Sequence, residues 1–401
     1  MRKHVLMQHS LARLTGEMAS YPAGAEDIVT AEAASRAVQA LESSSELAVD
    51  LEQDAMHAFR PRLCFIQVAT DKDLFLFDAL SSEVDPVLLA PLLGDPGRTK
   101  FFHAAVGDLQ YLAQAGVRVR GLFDTHRAAT LLGWPKVGLA DLARERLGVE
   151  LPKEHQQSDF SIRPLPAAMR QYIADDVRYL CEIGRQVREE CRKADILEEV
   201  ELDCQRLSDD AASPPEIGAD YRPKLPRNLP AVPQALARAI AQGLHQRRLA
   251  WAEALDIPHG RVLSNAAIAE LAKKPPKTMK ELANTPRVRG RFAREHGAEI
   301  LGLIEQLTQA ANQGELATEE APTEAPDRVR RRREEALRAF RSEKAVQRKV
   351  TPSVVLSNGL VQDLAKSTPR TLEELARIPY LGEKRVRLYG MELIQLLSKY
   401  R

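Results

Sequence analysis

Leu47-Ala-Val-Asp-Leu-Glu52 decides how the front of this chain is read. Four apolar residues in six make a buried strand, and alternation along a strand sends side chains two apart to one face. Asp50 and Glu52 therefore present their carboxylates side by side. Two acids buried together without a partner cost several kcal/mol, so a cation belongs beside them unless they sit at a strand end in water. The strand has no Lys or Arg, which leaves a hard divalent metal as one natural partner.

Working outward, Thr30 is placed to cap a helix reaching about Leu41. Leu63-Cys-Phe-Ile-Gln-Val-Ala69 and Asp73-Leu-Phe-Leu-Phe77 follow as strands joined by a polar turn. A helix is expected at 85–93, strands at 99–103 and 120–124, and helices at 107–115, 125–132, 138–147 and 166–198. Strands first, then strands alternating with helices, predict an α/β mixed sheet with flanking helices. Asp108 opens the helix after the strand ending at His103. Tyr172 and Asp176 lie four apart, on one face of the last helix.

The chain has 401 residues, 44% hydrophobic and 28% charged, which points to several folded domains and excludes a wholly disordered protein. No apolar run approaches the ~18 residues that span a bilayer. The basic start has no apolar stretch behind it and is not expected to act as a secretory signal. Cys64, Cys181, Cys191 and Cys204 lack zinc-site spacing and read as reduced thiols of a cytoplasmic protein. Although the net charge is only +1, residues 327–401 hold 18 Lys+Arg against 9 Asp+Glu, while the front is acidic. An acidic site with a polyanion held by basic modules behind it would give this pattern, as would solvated faces.

The rear half repeats itself. Val262-Leu-Ser-Asn265 recurs as Val355-Leu-Ser-Asn358, and at the same offset Leu271-Ala272, Pro276, Thr278, Glu281-Leu282, Pro286 and Gly297 match Leu364-Ala365, Pro369, Thr371, Glu374-Leu375, Pro379 and Gly390. The expected organisation is an N-terminal extension (1–27), an α/β domain (28–205), a proline-rich linker (206–231), an all-α module (232–312), an acidic linker (313–326) and a second all-α module (327–401).

In order, the D-x-E strand, Asp108 and Tyr172-x-x-x-Asp176 resemble the DEDDy 3′–5′ exonucleases. Pro61-Arg-Leu-Cys-Phe-Ile-Gln67, Phe102-His-Ala-Ala-Val-Gly-Asp108, Phe123-Asp-Thr125, Ser158-Asp-Phe-Ser-Ile-Arg-Pro-Leu165 and Tyr172-Ile-Ala-Asp-Asp-Val-Arg-Tyr-Leu180 are similar to ribonuclease D. The tandem modules are similar to the HRDC domains of that family. The resemblance implies a ribonuclease H-like fold and two divalent cations, Mg²⁺ or Mn²⁺. It implies Asp50, Glu52, Asp108 and Asp176 as ligands and Tyr172 as the residue orienting the attacking water. It also implies release of nucleoside 5′-monophosphates from RNA 3′ ends, with tRNA precursors as substrates. Gln53-Asp54 and Phe160 depart from the family pattern, in which an aromatic residue usually follows the D-x-E and tryptophan is common where Phe160 stands.

Gln67, His103, Phe59, Phe160, Arg60, Lys153 and Arg163 are candidates for touching the terminal nucleotides. Arg330, Arg331, Arg332, Arg333, Lys384 and Arg385 form a candidate RNA-binding patch. The protein is expected to be a monomer that binds RNA and not membranes. A DNA exonuclease with the same site and an RNA-binding scaffold without turnover are the rival readings.

Overall fold

The computed structural model describes residues 21–22, 24–152, 154–211, 217–218, 221–226, 229, 233–316 and 328–400. The N-terminal extension up to residue 20, Lys153, parts of the proline-rich linker and most of the acidic linker lie outside these residues.

Six strands form one mixed sheet: β1 (Glu26–Ile28), β2 (Glu46–Gln53), β3 (Leu63–Ala69), β4 (Leu74–Asp78), β5 (Thr99–Phe102) and β6 (Leu122–Asp124), in the order β1-β4-β3-β2-β5-β6. The β2–β3 and β3–β4 pairs are antiparallel; β1–β4, β2–β5 and β5–β6 are parallel. The acid-bearing strand is thus central, with β3 on one side and β5 on the other. Helix Ala167–Arg178 packs across β2, β3 and β4, and helix Leu180–Lys193 packs on β2 and β5. Gly184 permits the latter contact: a Cβ there would lie 2.2 Å from Phe101.

The structure departs from the sequence reading in three places. A short parallel edge strand, β1, begins at Glu26, inside the expected extension. The helix expected over 166–198 is broken at Tyr179, and a further helix starts at Leu197. That last helix runs to Asp209, past the expected boundary at 205, because Cys204 is buried in the α/β core and the Ser208 hydroxyl donates to the Val119 carbonyl. All four cysteines are free and buried. Among the described residues, no helix is long and apolar enough to cross a membrane.

The two modules repeat in detail. Helices Gln234–Leu255, His259–Val262, Asn265–Lys273, Met279–Ala283 and Gly290–Gln313 correspond to Arg328–Arg348, Pro352–Val355, Asn358–Ser367, Leu372–Ala376 and Glu383–Ser398. Ser264 and Ser357 cap equivalent helices, as do Thr278 and Thr371. The Glu281 and Glu374 amides donate to the Thr278 and Thr371 hydroxyls while their carboxylates accept from the Lys277 and Arg370 amides just before the caps, a variant of the capping box made twice. Arg248 donates to the Leu263 carbonyl, and Arg341 donates to that of Leu356.

Their attachments to the α/β domain differ. The first module takes Phe59, from the loop after β2, into its own apolar core. The Phe59 amide donates to Asp256, and Arg60 pairs with Glu253 at 2.6 Å in a largely exposed contact. The second module is held by Glu199, which is fully buried and pairs with Arg348 at 2.6 Å and Lys384 at 3.2 Å. Arg206–Asp363 and the Tyr380 hydroxyl donating to Asp209 flank this anchor.

Removing one member of a buried ion pair strands its partners, at a cost of about 3–5 kcal/mol. Glu199→Ala is therefore expected to undock the second module. Amide hydrogen exchange should accelerate over 380–387 while β2 and β3 stay protected.

Candidate metal centre

The register of β2 against β3 sets the site. Asp50 faces Gln67 and Glu52 faces Phe65, with the regular pairing interrupted between Glu52 and Gln53. Helix Ala167–Arg178 crosses this face and brings Asp176 down, so that carboxylate oxygens of Asp50, Glu52 and Asp176 lie within 4.8 Å of one another. Asp108 comes from the first turn of helix Val106–Gln114, where it accepts from the Gln53 amide at 3.4 Å. It stands outside the tight trio but within its field, raising the pKa of Glu52 and feeling Asp50 in turn.

The start of the Asp108 helix is fixed by Asp124 at the end of β6. Its carboxylate accepts from the Ala104, Ala105 and Arg127 amides, holding a turn in which Ala104 has a φ of 63°. One buried acid thus shapes the turn before Asp108 and caps the next helix.

Like charges crowded into a poorly hydrated cleft resist ionisation. Burial raises the Asp50 pKa to about 7; burial, then Asp50, Asp176 and Asp108, push Glu52 to about 10. Asp108 and Asp176 are pushed upward by burial and then by Asp50. Among the described residues none of these four acids pairs with a lysine or arginine. An all-oxygen donor set with unbalanced negative charge fits hard divalent cations, which tolerate open positions filled by water.

Tyr172 is buried one helical turn before Asp176 and close enough for each to shift the other's pKa. Its ring stacks on Phe160, centroids 6.3 Å apart, with His155 edge-on at 6.0 Å. Burial, then Asp176, Glu52 and Asp50, push the phenol pKa well up, so the hydroxyl keeps its proton.

Several candidates for contacting substrate have structural partners instead. Phe160 is 1% exposed and backs Tyr172, so it offers no open stacking surface. Arg163 forks onto Asp78 at 2.5 and 2.6 Å and bonds the carbonyls of Phe160, Ile162 and Cys64, which fixes the segment carrying Phe160. Phe59 and Arg60 attach the first module. His103 is held by Thr125 at 2.9 Å, and burial lowers its pKa to about 4, leaving it neutral. Gln67 is completely buried beside Asp50.

The basic patch is also redrawn. Lys384 and Arg385 are 7% and 2% exposed: Lys384 meets Glu199 and Asp195, while Arg385 bonds the carbonyls of Val354, Tyr380 and Leu381. Arg333 donates to the carbonyls of Tyr400 and Ala365, and Arg330 pairs with Glu334. Arg331 and Arg332 are exposed. At the turn equivalent to 380–387, the first module carries Arg287, Arg289, Arg291 and Arg294, all exposed, with Arg291 paired to Glu295. The repeat offset could have flagged these arginines, since Arg291 aligns with Lys384.

Residues 26–192 match the family model for a 3′–5′ exonuclease domain, and residues 237–304 and 330–397 match the HRDC domain. The chain is 29% identical over 303 residues to a ribonuclease D of Gluconacetobacter diazotrophicus, covering 75% of this chain and 76% of the relative. It is 28% identical over 377 residues to a ribonuclease D of Acidiphilium cryptum, covering 92% of each. Its fold matches the crystal structure of Escherichia coli RNase D, an exoribonuclease involved in structured RNA processing. The TM-score is 0.62 at 22% identity, covering 94% of this chain and 99% of the other.

Because an acid with a raised folded pKa binds its proton more tightly when folded, stability without metal falls as pH rises from about 4 through 7. In EDTA, Asp50→Asn should melt above the parent at pH 8, with the advantage shrinking towards pH 5; calorimetric melts at both pH values check this. With its exonuclease domain, two HRDC domains and a fold shared along nearly its whole length, the chain belongs to the ribonuclease D family of 3′–5′ exoribonucleases.

Proposed function

We propose that this protein trims the 3′ ends of structured RNA, tRNA precursors among them, releasing nucleoside 5′-monophosphates in the cytoplasm as a monomer. The observation that carries the reading is the meeting of Asp50, Glu52 and Asp176, with no lysine or arginine among the described residues paired to them and a protonated Tyr172 beside them. Asp50, Glu52, Asp108 and Asp176 would hold two ions, Mg²⁺ or Mn²⁺. Such a pair, when bound, offsets charge on the attacking and leaving oxygens of a phosphodiester.

The chain's own part is positioning. Asp176 lies beside Tyr172, whose raised pKa suits its hydroxyl to orient a water by hydrogen bonding rather than to deprotonate one. Phe160 and His155 fix the ring, and Arg163 fixes Phe160. The phosphate backbone upstream would be met by exposed cations, for which Arg287, Arg289 and Arg294 of the first module, and Arg331 and Arg332 of the second, are the favoured group.

Purified protein given a 3′-extended tRNA with Mg²⁺ or Mn²⁺ should shorten it to mononucleotides, and Asp50→Asn should be slower by at least about 100-fold. Equal rates would remove the assignment, and faster digestion of a matched DNA strand would favour the DNA reading. Tyr172→Phe is expected to lower kcat while leaving Mn²⁺ affinity near the parent's. Arg287, Arg289 and Arg294 changed together to Glu should weaken RNA binding across sequences and flatten its salt dependence by about one log unit per lost phosphate contact. Filter binding at several salt concentrations measures both effects.

A further inference from the structure

Gln67 is 0% exposed, and neither its amide oxygen nor its amide nitrogen has a hydrogen-bond partner. An amide brings two donors and an accepting oxygen, and native interiors seldom leave all of these unmet. Its surroundings show where partners can come from. Gln67 lies directly opposite Asp50 on β2 and Leu76 on β4, and opposed residues of antiparallel strands project to the same face. Its same-face neighbours along β3 are Phe65 and Ala69. The helix above buries Met169, Tyr172, Ile173, Ala174 and Val177. Of the two residues directly opposite it, Asp50 is therefore the ionisable one, and it belongs to the carboxylate trio.

A leucine would fill this position without an unmet amide, so the amide is explained by a partner that arrives with the ligand. Resting on the reading of the acids as a metal centre, we propose that Gln67 is a positioning residue of that centre. Its amide N–H group orients the Asp50 carboxylate, directly or through one water, once divalent ions are bound. Groups that hold metal ligands from behind in this way fix carboxylate orientation, and their loss typically weakens metal affinity about 10- to 100-fold. This role differs from contact with the terminal nucleotide, for which complete burial leaves Gln67 no open face.

The test uses the full chain and Mn²⁺ alone, without RNA. Gln67→Leu should melt in EDTA at or above the parent's temperature, since it removes an unmet buried amide. It should bind Mn²⁺ about 10- to 100-fold more weakly by titration calorimetry and gain correspondingly less thermal stabilisation from it. Gln67→Met, which keeps the unbranched length, serves the same purpose should the leucine variant fail to fold. Mn²⁺ binding by either folded variant within twofold of the parent overturns the proposal. Asp50→Asn is titrated in parallel: if it alone loses Mn²⁺, only the role of Gln67 falls, and if neither variant loses it, the metal-centre reading falls too.

Discussion

Mutual repulsion among carboxylates is the constraint around which the α/β domain is arranged. Asp50 and Glu52 are committed to one face by strand alternation, and the helix above must then bring Asp176 towards two acids that oppose it. Apolar packing supplies what the acids do not. Ile173, Ala174 and Val177 bury the helix, Gly184 lets the following helix settle on Phe101, and Asp124 fixes the turn that presents Asp108. The fold thus holds together a cluster that is unfavourable without cations, as expected where local rules yield to function.

How much of this was legible follows from how local each signal is. The D-x-E strand could be read from alternation alone, and the two modules from their constant offset. Asp108 and Asp176 could be tied to that strand only through the order of family motifs, since spacing does not say which residues meet across a sheet. The break at Tyr179 left no glycine or proline to mark it, and β1 is three residues long, too short to show a period. Lys384 and Arg385 looked like surface charge because the buried partner of Lys384, Glu199, is 185 residues away in sequence. The partners of Phe160 and Arg163 could not be read for the same reason: stacking on Tyr172 and forking onto Asp78 are tertiary facts.

The repeated modules show one scaffold put to two uses. Capping boxes, capping serines and the arginine-to-carbonyl bond are kept in both copies, so these belong to the fold of the module. The turn before the last helix is not kept. In the second copy Tyr380, Gly382 and Lys384 are pressed against the helix Leu197–Asp209; in the first, the same positions are arginines facing water.

The unequal attachments also respond differently to ionic strength. Mobile ions screen exposed charges separated by water, but scarcely reach a pair sealed from it. Added salt would thus spare the Glu199 anchor while weakening Arg60–Glu253, whose side chains are 72% and 55% exposed. What remains on that side is Phe59, seven residues beyond Glu52, with its ring in the module's core and its amide bonded to Asp256. Salt would therefore loosen the first module's attachment before the second's, at the loop that continues the acid-bearing strand.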